Sequence, residues 1–288
     1  MNPKWSPAHF LARCLPLALL SSGIPLPTAT AADDTLPKAE EILDRHIEAT
    51  GGKEAYAKIT SRRITGTLSM PAQAMEAQLL LVQKPPNMRR LEISMKDMGT
   101  LLQVCDGKHA WEVNERSGSP RLLEGDEAQT ALRNAVFQPD LHWRELYDHV
   151  ETVGVEDVDD KPAYKVVLAS EGGEEITNYY DKQSGRMVRS DRTIDTPMGS
   201  MTIQSYPGEY KQIDGIWLPT SSRQVVAEMN MKREFKFQKI EHNIDLPEGA
   251  FEPPPEIKRQ IEQAEKPAQT QPTSQPKQRE EPGEDDQP

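Results

Sequence analysis

Residues 61–113 read SRRITGTLSMPAQAMEAQLLLVQKPPNMRRLEISMKDMGTLLQVCDGKHAWEV, and this stretch decides the fold. Ile64, Gly66, Leu68 and Met70 alternate with Thr65, Thr67 and Ser69. Leu91, Ile93 and Met95 alternate with Arg90, Glu92 and Ser94. A period of two puts one row of side chains in a core and the other in water, as in an antiparallel sheet. Strands are predicted over 61–70, 75–83, 88–96, 99–105 and 108–113. Lys84-Pro85-Pro86-Asn87 and the hairpin dipeptide Asp106-Gly107 connect them.

The ladder continues to Asn243 through turns at Asp159-Asp160, Gly172-Gly173, Ser184-Gly185 and Asp214-Gly215. Its last member places Met229, Met231, Phe235 and Phe237 on one face, opposite Lys232, Glu234 and Lys236. Arg233 interrupts the apolar row, so it must meet an acidic partner or lie at a cavity mouth. Helices flank and interrupt the strands. One opens at Pro37 as its first residue, carries Ile42, Leu43, His46 and Ile47 on a stripe, and ends at Gly51-Gly52. A short turn follows over 53–59. Helix formers occupy 124–137, and Pro139 restarts a helix holding Leu141, Trp143, Leu146 and Tyr147. The pattern is α+β, with helices on one face of a strongly curved antiparallel sheet.

The two ends differ in kind from this middle. Lys4 and Arg13, the apolar run from Leu15 to Leu26 and Ala29-Thr30-Ala31 have the anatomy of a secretory signal peptide over 1–31. Arg13 precedes Cys14 where a lipoprotein signal needs a small residue, and the apolar run follows the cysteine, which argues against a lipid anchor. No integral membrane segment is expected after signal cleavage. The main domain is placed at 33–258, with a short helix expected from Glu256 to Glu265. Residues 266–288 hold five prolines, five glutamines and an acidic cluster, a composition that reads as a disordered tail.

The whole chain carries a formal charge of -12, and loss of Lys4 and Arg13 takes the mature form to about -14. Such a surface disfavours nucleic acid and anionic headgroups as general partners. Cys105 is left alone after signal removal, so no intramolecular disulfide forms, and its apolar surroundings predict an inert buried thiol.

Candidate chemistry is sparse. His142, Glu145 and His149 fall at spacings that place them on one helical face, yet they match no metal motif. Asp157, Asp159 and Asp160 lack the glycine and closing glutamate of a calcium loop. Ser117-Gly118-Ser119 and Ser221-Ser222 lack a nucleophile elbow, and Gly51-Gly52-Lys53 lacks a phosphate-loop framework. The expectation is a protein without catalytic residues, metal or cofactor. Met70, Met75, Met95, Met98, Met201, Met229 and Met231 lie on or beside strands, where their adaptable side chains suit either a core or a surface for varied apolar ligands.

The punctuation as a whole resembles the LolA-like outer-membrane lipoprotein-sorting proteins. The resemblance rests on Ala49-Thr50-Gly51-Gly52 with Glu54-Ala55-Tyr56 and Ile59, on Asp106-Gly107 before Trp111-Glu112, and on Tyr179-Tyr180-Asp181 with Ser184-Gly185. It ends with Asp214-Gly215-Ile216 before Leu218-Pro219, and Ile240-Glu241-His242-Asn243. It implies an incomplete β-barrel closed by helices, in the periplasm, sheltering lipoprotein acyl chains or lipid. On that scaffold Leu68, Met70, Leu79, Leu81, Leu91, Ile93, Met95, Met201, Phe235 and Phe237 are the expected lining of an apolar ligand-binding cavity. Some carriers of this class close their lid through a buried arginine, for which Arg62, Arg63, Arg89 and Arg90 are candidates here. The alternative is an envelope binding or sensor module on the same scaffold, meeting a protein partner without transport.

Overall fold

A computed structural model of the chain describes residues 35–265 apart from 117, 197, 198 and 230. The expected signal peptide and the Pro/Gln/acidic tail lie outside the described residues. Among the described residues no helix is long and apolar enough to cross a membrane.

The first helix, α1 (Ala39–Ala49), leads into the single turn α2 (Lys53–Tyr56). Five strands then follow as hairpins: β1 (Arg62–Met70), β2 (Met75–Lys84), β3 (Met88–Met95), β4 (Gly99–Asp106) and β5 (Ala110–Asn114). A two-residue edge strand β6 (Arg121–Leu122) precedes α3 (Gly125–Asn134), a 3-10 turn (Pro139–His142) and α4 (Trp143–Leu146). The second run comprises β7 (His149–Val158), β8 (Lys161–Ala169), β9 (Glu175–Asp181), β10 (Met187–Thr196) and β11 (Gly199–Pro207). The hairpin β12 (Tyr210–Ile213) and β13 (Ile216–Pro219) comes next, then β14 (Ser221–Val226), β15 (Met231–His242) and α5 (Pro255–Ala264).

Thirteen strands form one antiparallel sheet in the order β6-β5-β4-β3-β2-β1-β15-β14-β11-β10-β9-β8-β7. The sheet is curved and keeps two edges, β6 and β7, so the barrel is incomplete. β15 closes the two runs together by pairing with β1, residues far apart in sequence (Leu68↔Phe235, Gly66↔Phe237). Gly66 is required there: a Cβ at this position would lie 2.2 Å from the Lys236 carbonyl oxygen.

Opposed residues in neighbouring antiparallel strands share a face, and the register separates the two faces cleanly. The inner face meets helices α1, α3 and α4. On one half α1 buries Ile42, Leu43 and Ile47 against Val166, Leu168 and Tyr180. On the other, Ala131 of α3 and Ala135 just after it pack on Cys105 and Ala110. The outer face meets α5, whose Ile257 packs with Val104 and Trp111.

Several local expectations change. α1 begins at Ala39, because the Lys38 carbonyl accepts the first helical N–H groups from Glu41 and Ile42, leaving Pro37 outside the helix. Met229 is no strand residue. It sits in the turn between β14 and β15 with 53% of its surface exposed, where Ala227 N–H turns away to Thr202 O. His142, Glu145 and His149 share no helical face: α4 ends at Leu146, Tyr147 is extended, and His149 opens β7. His142 Nδ1 meets Glu145 Oε2 at 2.8 Å, and His149 faces Glu151 instead. Among the described residues no group of three His, Cys, Asp or Glu side chains could hold a metal ion.

Candidate functional site

The ten residues expected to line a cavity all project from the inner face. Leu68 stands opposite Ala77 and Phe235, Leu79 opposite Ile93 and Gly66, and Leu81 opposite Leu91. Met95 continues the row from Ala77, and Phe237 lies opposite Gly66. Nine of them therefore form one strip across β15, β1, β2 and β3. Met201 is set apart on β11, beyond β14, opposite Ile194. Only Leu68 and Leu79 are buried; the other eight are half-buried. The ring centroids of Phe235 and Phe237 lie 6.5 Å apart. None of the nine belongs to the clusters packed under α1, α3 or α5. The strip is thus an incompletely covered apolar floor, and area of this kind gains about 25 cal/mol per Å² when a ligand shields it from water.

The seven methionines singled out in the sequence all fall toward the same end of the sheet's strands. They come from the β1–β2, β3–β4 and β14–β15 connections and from the start of β11. Alternation alone did not reveal this, because it depends on which hairpins share an end.

Two cavities border the helices, and neither is lined by any of the ten residues. One, of about 200 Å³, lies beneath α1 and α4 and is lined by Leu43, His46, Asp140, Trp143, Tyr180 and Arg192 among others. The second, of about 510 Å³, lies beside α3 between Gln103 and Glu112 on one side and Arg192 and Ile194 on the other. Helix α3 therefore spans from one half of the curved sheet to the other. On the β5 side it rests on small side chains. On the β10 side it is tied by polar groups: Arg133 pairs with Glu174 and donates to Ser170 Oγ at 2.8 Å, while Arg192 donates to Asn134 Oδ1 at 2.6 Å. Glu174 also faces Arg192 at 3.4 Å. These ties join residues far apart in sequence, which is why no motif announced them.

Cys105 lies under this helix, 0% exposed, with its Sγ donating to Ala131 O at 3.4 Å. Burial pushes the thiol up to about 11, so it is inert while α3 is seated. Glu174→Ala leaves Arg133 and Arg192 without their shared carboxylate. It is expected to raise the rate of Cys105 labelling by a small aromatic disulfide at pH 8 at least fivefold, with the melting temperature nearly unchanged. Equal labelling in both proteins would show that the ties do not hold α3 down.

The four candidate arginines divide by face. Arg63 and Arg90 are on the outer face, paired with Glu241 at 3.0 Å and Glu92 at 2.6 Å. Arg62 and Arg89 are on the inner face, in one row with Cys105. Arg89 donates to the neutral Gln103 at 2.9 Å. Arg62 stacks on Phe137 and donates through Nε–H to His242 Nε2 at 3.2 Å, and its Nη2 is buried without a partner.

This contact fixes the tautomer of His242. Nε2 accepts from Arg62, so Nδ1 carries the proton and donates to Asp214 Oδ2 at 2.9 Å. Burial, and then Arg62, hold the imidazole below its ordinary value. A histidine depressed in the folded state leaves stability intact above the unfolded pKa of about 6.5. Below it the unfolded chain binds the extra proton and stability falls. The melting temperature is expected to drop between pH 7 and pH 5.5, and His242→Gln should flatten that segment of the profile. An unchanged slope in the variant would assign the acid sensitivity elsewhere.

No protein-family model matches the chain, and no curated protein matches it. Solved structures do. A DUF1329 family protein from Desulfovibrio piger is similar at 13% identity, with a TM-score of 0.54 over 74% of this chain and 97% of that one. A LolA superfamily protein from Nitrosomonas europaea is similar at 15% identity, with a TM-score of 0.53 over 76% and 99%. A domain assigned to outer membrane lipoprotein sorting in Vibrio parahaemolyticus is similar at 12% identity, with a TM-score of 0.50 over 74% and 97%. The fold is LolA-like: an α+β arrangement in which a large, curved, unclosed antiparallel sheet carries α1, α3 and α4 on its inner face, with α5 added on the outer face, whereas the sequence pattern predicts helices on one face only.

Proposed function

We propose that the chain is a periplasmic carrier that shelters lipoprotein acyl chains or lipid, acting in outer-membrane lipoprotein sorting and using no covalent chemistry. The observation that carries this is the half-buried apolar strip on the inner face, spanned at its side by a helix held through polar ties. An acyl chain in water exposes apolar area worth about 0.8 kcal/mol per CH₂, and a floor of Leu, Ile, Met and Phe side chains offers it equivalent cover. The signal-peptide anatomy of residues 1–31 supports an envelope location, as does the likeness to a lipoprotein-sorting domain. Native mass spectrometry of gently purified mature protein is the test. Co-purifying phospholipid or acylated peptide is expected. A reproducibly empty protein that also takes up no added fatty acid would overturn the reading.

A second reading, an envelope sensor or binding module, is supported by β7. This ten-residue edge strand leaves one row of backbone groups unpaired and exposes Val153 and Val155. Such an edge suits strand addition by a protein partner. Deleting residues 266–288 separates the two: a carrier keeps its ligand binding, whereas a sensor that engages its partner through the tail loses that engagement.

A further inference from the structure

The inner face is not apolar throughout. One register row crosses five strands as Asn178, Ser190, Ser205, Gln224 and Arg233, each directly opposite the next. The row begins at the 200 Å³ cavity, which Asn178 and Ser190 help to line, and ends on β15 between Met231 and Phe235. Neighbouring strands are about 4.8 Å apart, so the row is roughly 19 Å long.

Its members have little to hold within the protein. Asn178 donates to the Tyr180 hydroxyl, but its Oδ1 is buried without a donor. The side chains of Ser190, Ser205, Gln224 and Arg233 make no hydrogen bond or ion pair among the described residues. Arg233 is the odd member. On β10, Arg189 and Arg192 each have a carboxylate, while Arg186 and Arg223 stack on the rings of Trp217 and Tyr206. In a chain of net charge -12, an unpaired half-buried cation beside an apolar floor is a local reversal of sign.

A plain hydrocarbon laid across this row would strip water from the polar groups and return nothing. A ligand with hydrogen-bonding atoms and one negative charge replaces that water in kind. Building on the carrier reading above, we infer that the occupant is an acidic amphiphile. Its carboxylate or phosphodiester head sits on Arg233, its ester or amide oxygens meet Gln224 and Ser205, and its chains lie over Phe235, Leu68 and Leu79.

The test titrates the mature chain with cis-parinaric acid and, separately, with its methyl ester, which carries the same chain without the charge. Wild type is expected to bind the acid about tenfold more tightly, as one charge-assisted contact warrants. Arg233→Gln should bring the ratio to within twofold while leaving the ester unchanged, and Arg233→Lys should retain most of the preference. Arg223→Gln, whose parent guanidinium stacks on Tyr206 of the outer face at 4.0 Å, should behave as wild type. A second arm offers phosphatidylglycerol and phosphatidylcholine in equal amounts, read by native mass spectrometry. Preference for phosphatidylglycerol assigns a phosphodiester, and preference confined to parinaric acid assigns a carboxylate. Equal binding of acid and ester by wild type, with no phospholipid preference, overturns the inference and leaves the carrier reading standing. So does a preference that survives in Arg233→Gln. Binding of none of these probes overturns both.

Discussion

Phe235→Glu is expected to lower affinity for a neutral apolar probe by about 100-fold, close to 3 kcal/mol, while Lys236→Glu leaves it within twofold. Both residues are on β15 and differ only in face. Phe235 stands opposite Leu68 and Ser222 on the half-buried inner side, and Lys236 is exposed on the outer side. A carboxylate at 235 must either keep its water, which excludes hydrocarbon from the floor, or lose it at a cost of several kcal/mol. The probe must be uncharged, such as parinaric methyl ester. A glutamate two residues from Arg233 on the same face will pair with that guanidinium, so an acidic probe would report lost charge together with lost floor. Thermal melts establish that both variants fold. A folded Phe235→Glu protein that binds the ester as wild type does would remove this strand from the ligand site. Lys236→Glu losing binding as strongly would mean the faces have been assigned the wrong way round.

The strands of the floor were legible because each carries its own signal. β1 and β3 alternate strictly, β15 does so apart from Arg233, and the observed spans of β1 to β5 fall within two residues of those expected at either end. What pattern could not supply is the pairing between strands. Asn178, Ser190, Ser205 and Gln224 look like ordinary polar interruptions in four separate strands, and only the register aligns them. Arg233 stands out in the sequence because it breaks an otherwise apolar row, and the break is the end of the polar row. The ties holding α3 were invisible for the same reason, since Arg133, Glu174 and Arg192 come from one helix, one loop and one strand. Where the periodicity misled, a backbone event intervened. The β14–β15 turn removed Met229 from its apparent strand, and the extended Tyr147 separated His149 from the helix that its spacing suggested.

The division into faces also decides what damage a core mutation does. Trp111→Ala is expected to destabilise the fold by about 3–5 kcal/mol, the range for a buried aromatic truncated in a close-packed site. Trp111 is 1% exposed and packs with Val104 and with Ile257 of α5, itself 0% exposed, while Leu102, Val113, Phe251 and Ile261 surround them. The same helix covers the short edge strand β6: Leu122 N–H donates to Gln260 Oε1 at 2.9 Å, and Gln260 Nε2 donates to Pro120 O at 3.1 Å. Loosening α5 therefore exposes both an apolar patch and a sheet edge. For a domain of this size each kcal/mol shifts the melting temperature by about 2–4 °C, so a fall on the order of 10 °C should be seen. Truncation after Glu265 should leave the melt in place, because Ile257 and Ile261 remain. A Trp111→Ala melt within about 2 °C of wild type would show that α5 is not an integral layer. Below its transition the variant should still bind parinaric methyl ester, since Trp111 packs on the face opposite Phe235. Loss of both stability and binding would mean that the outer layer sets the curvature on which the inner floor depends.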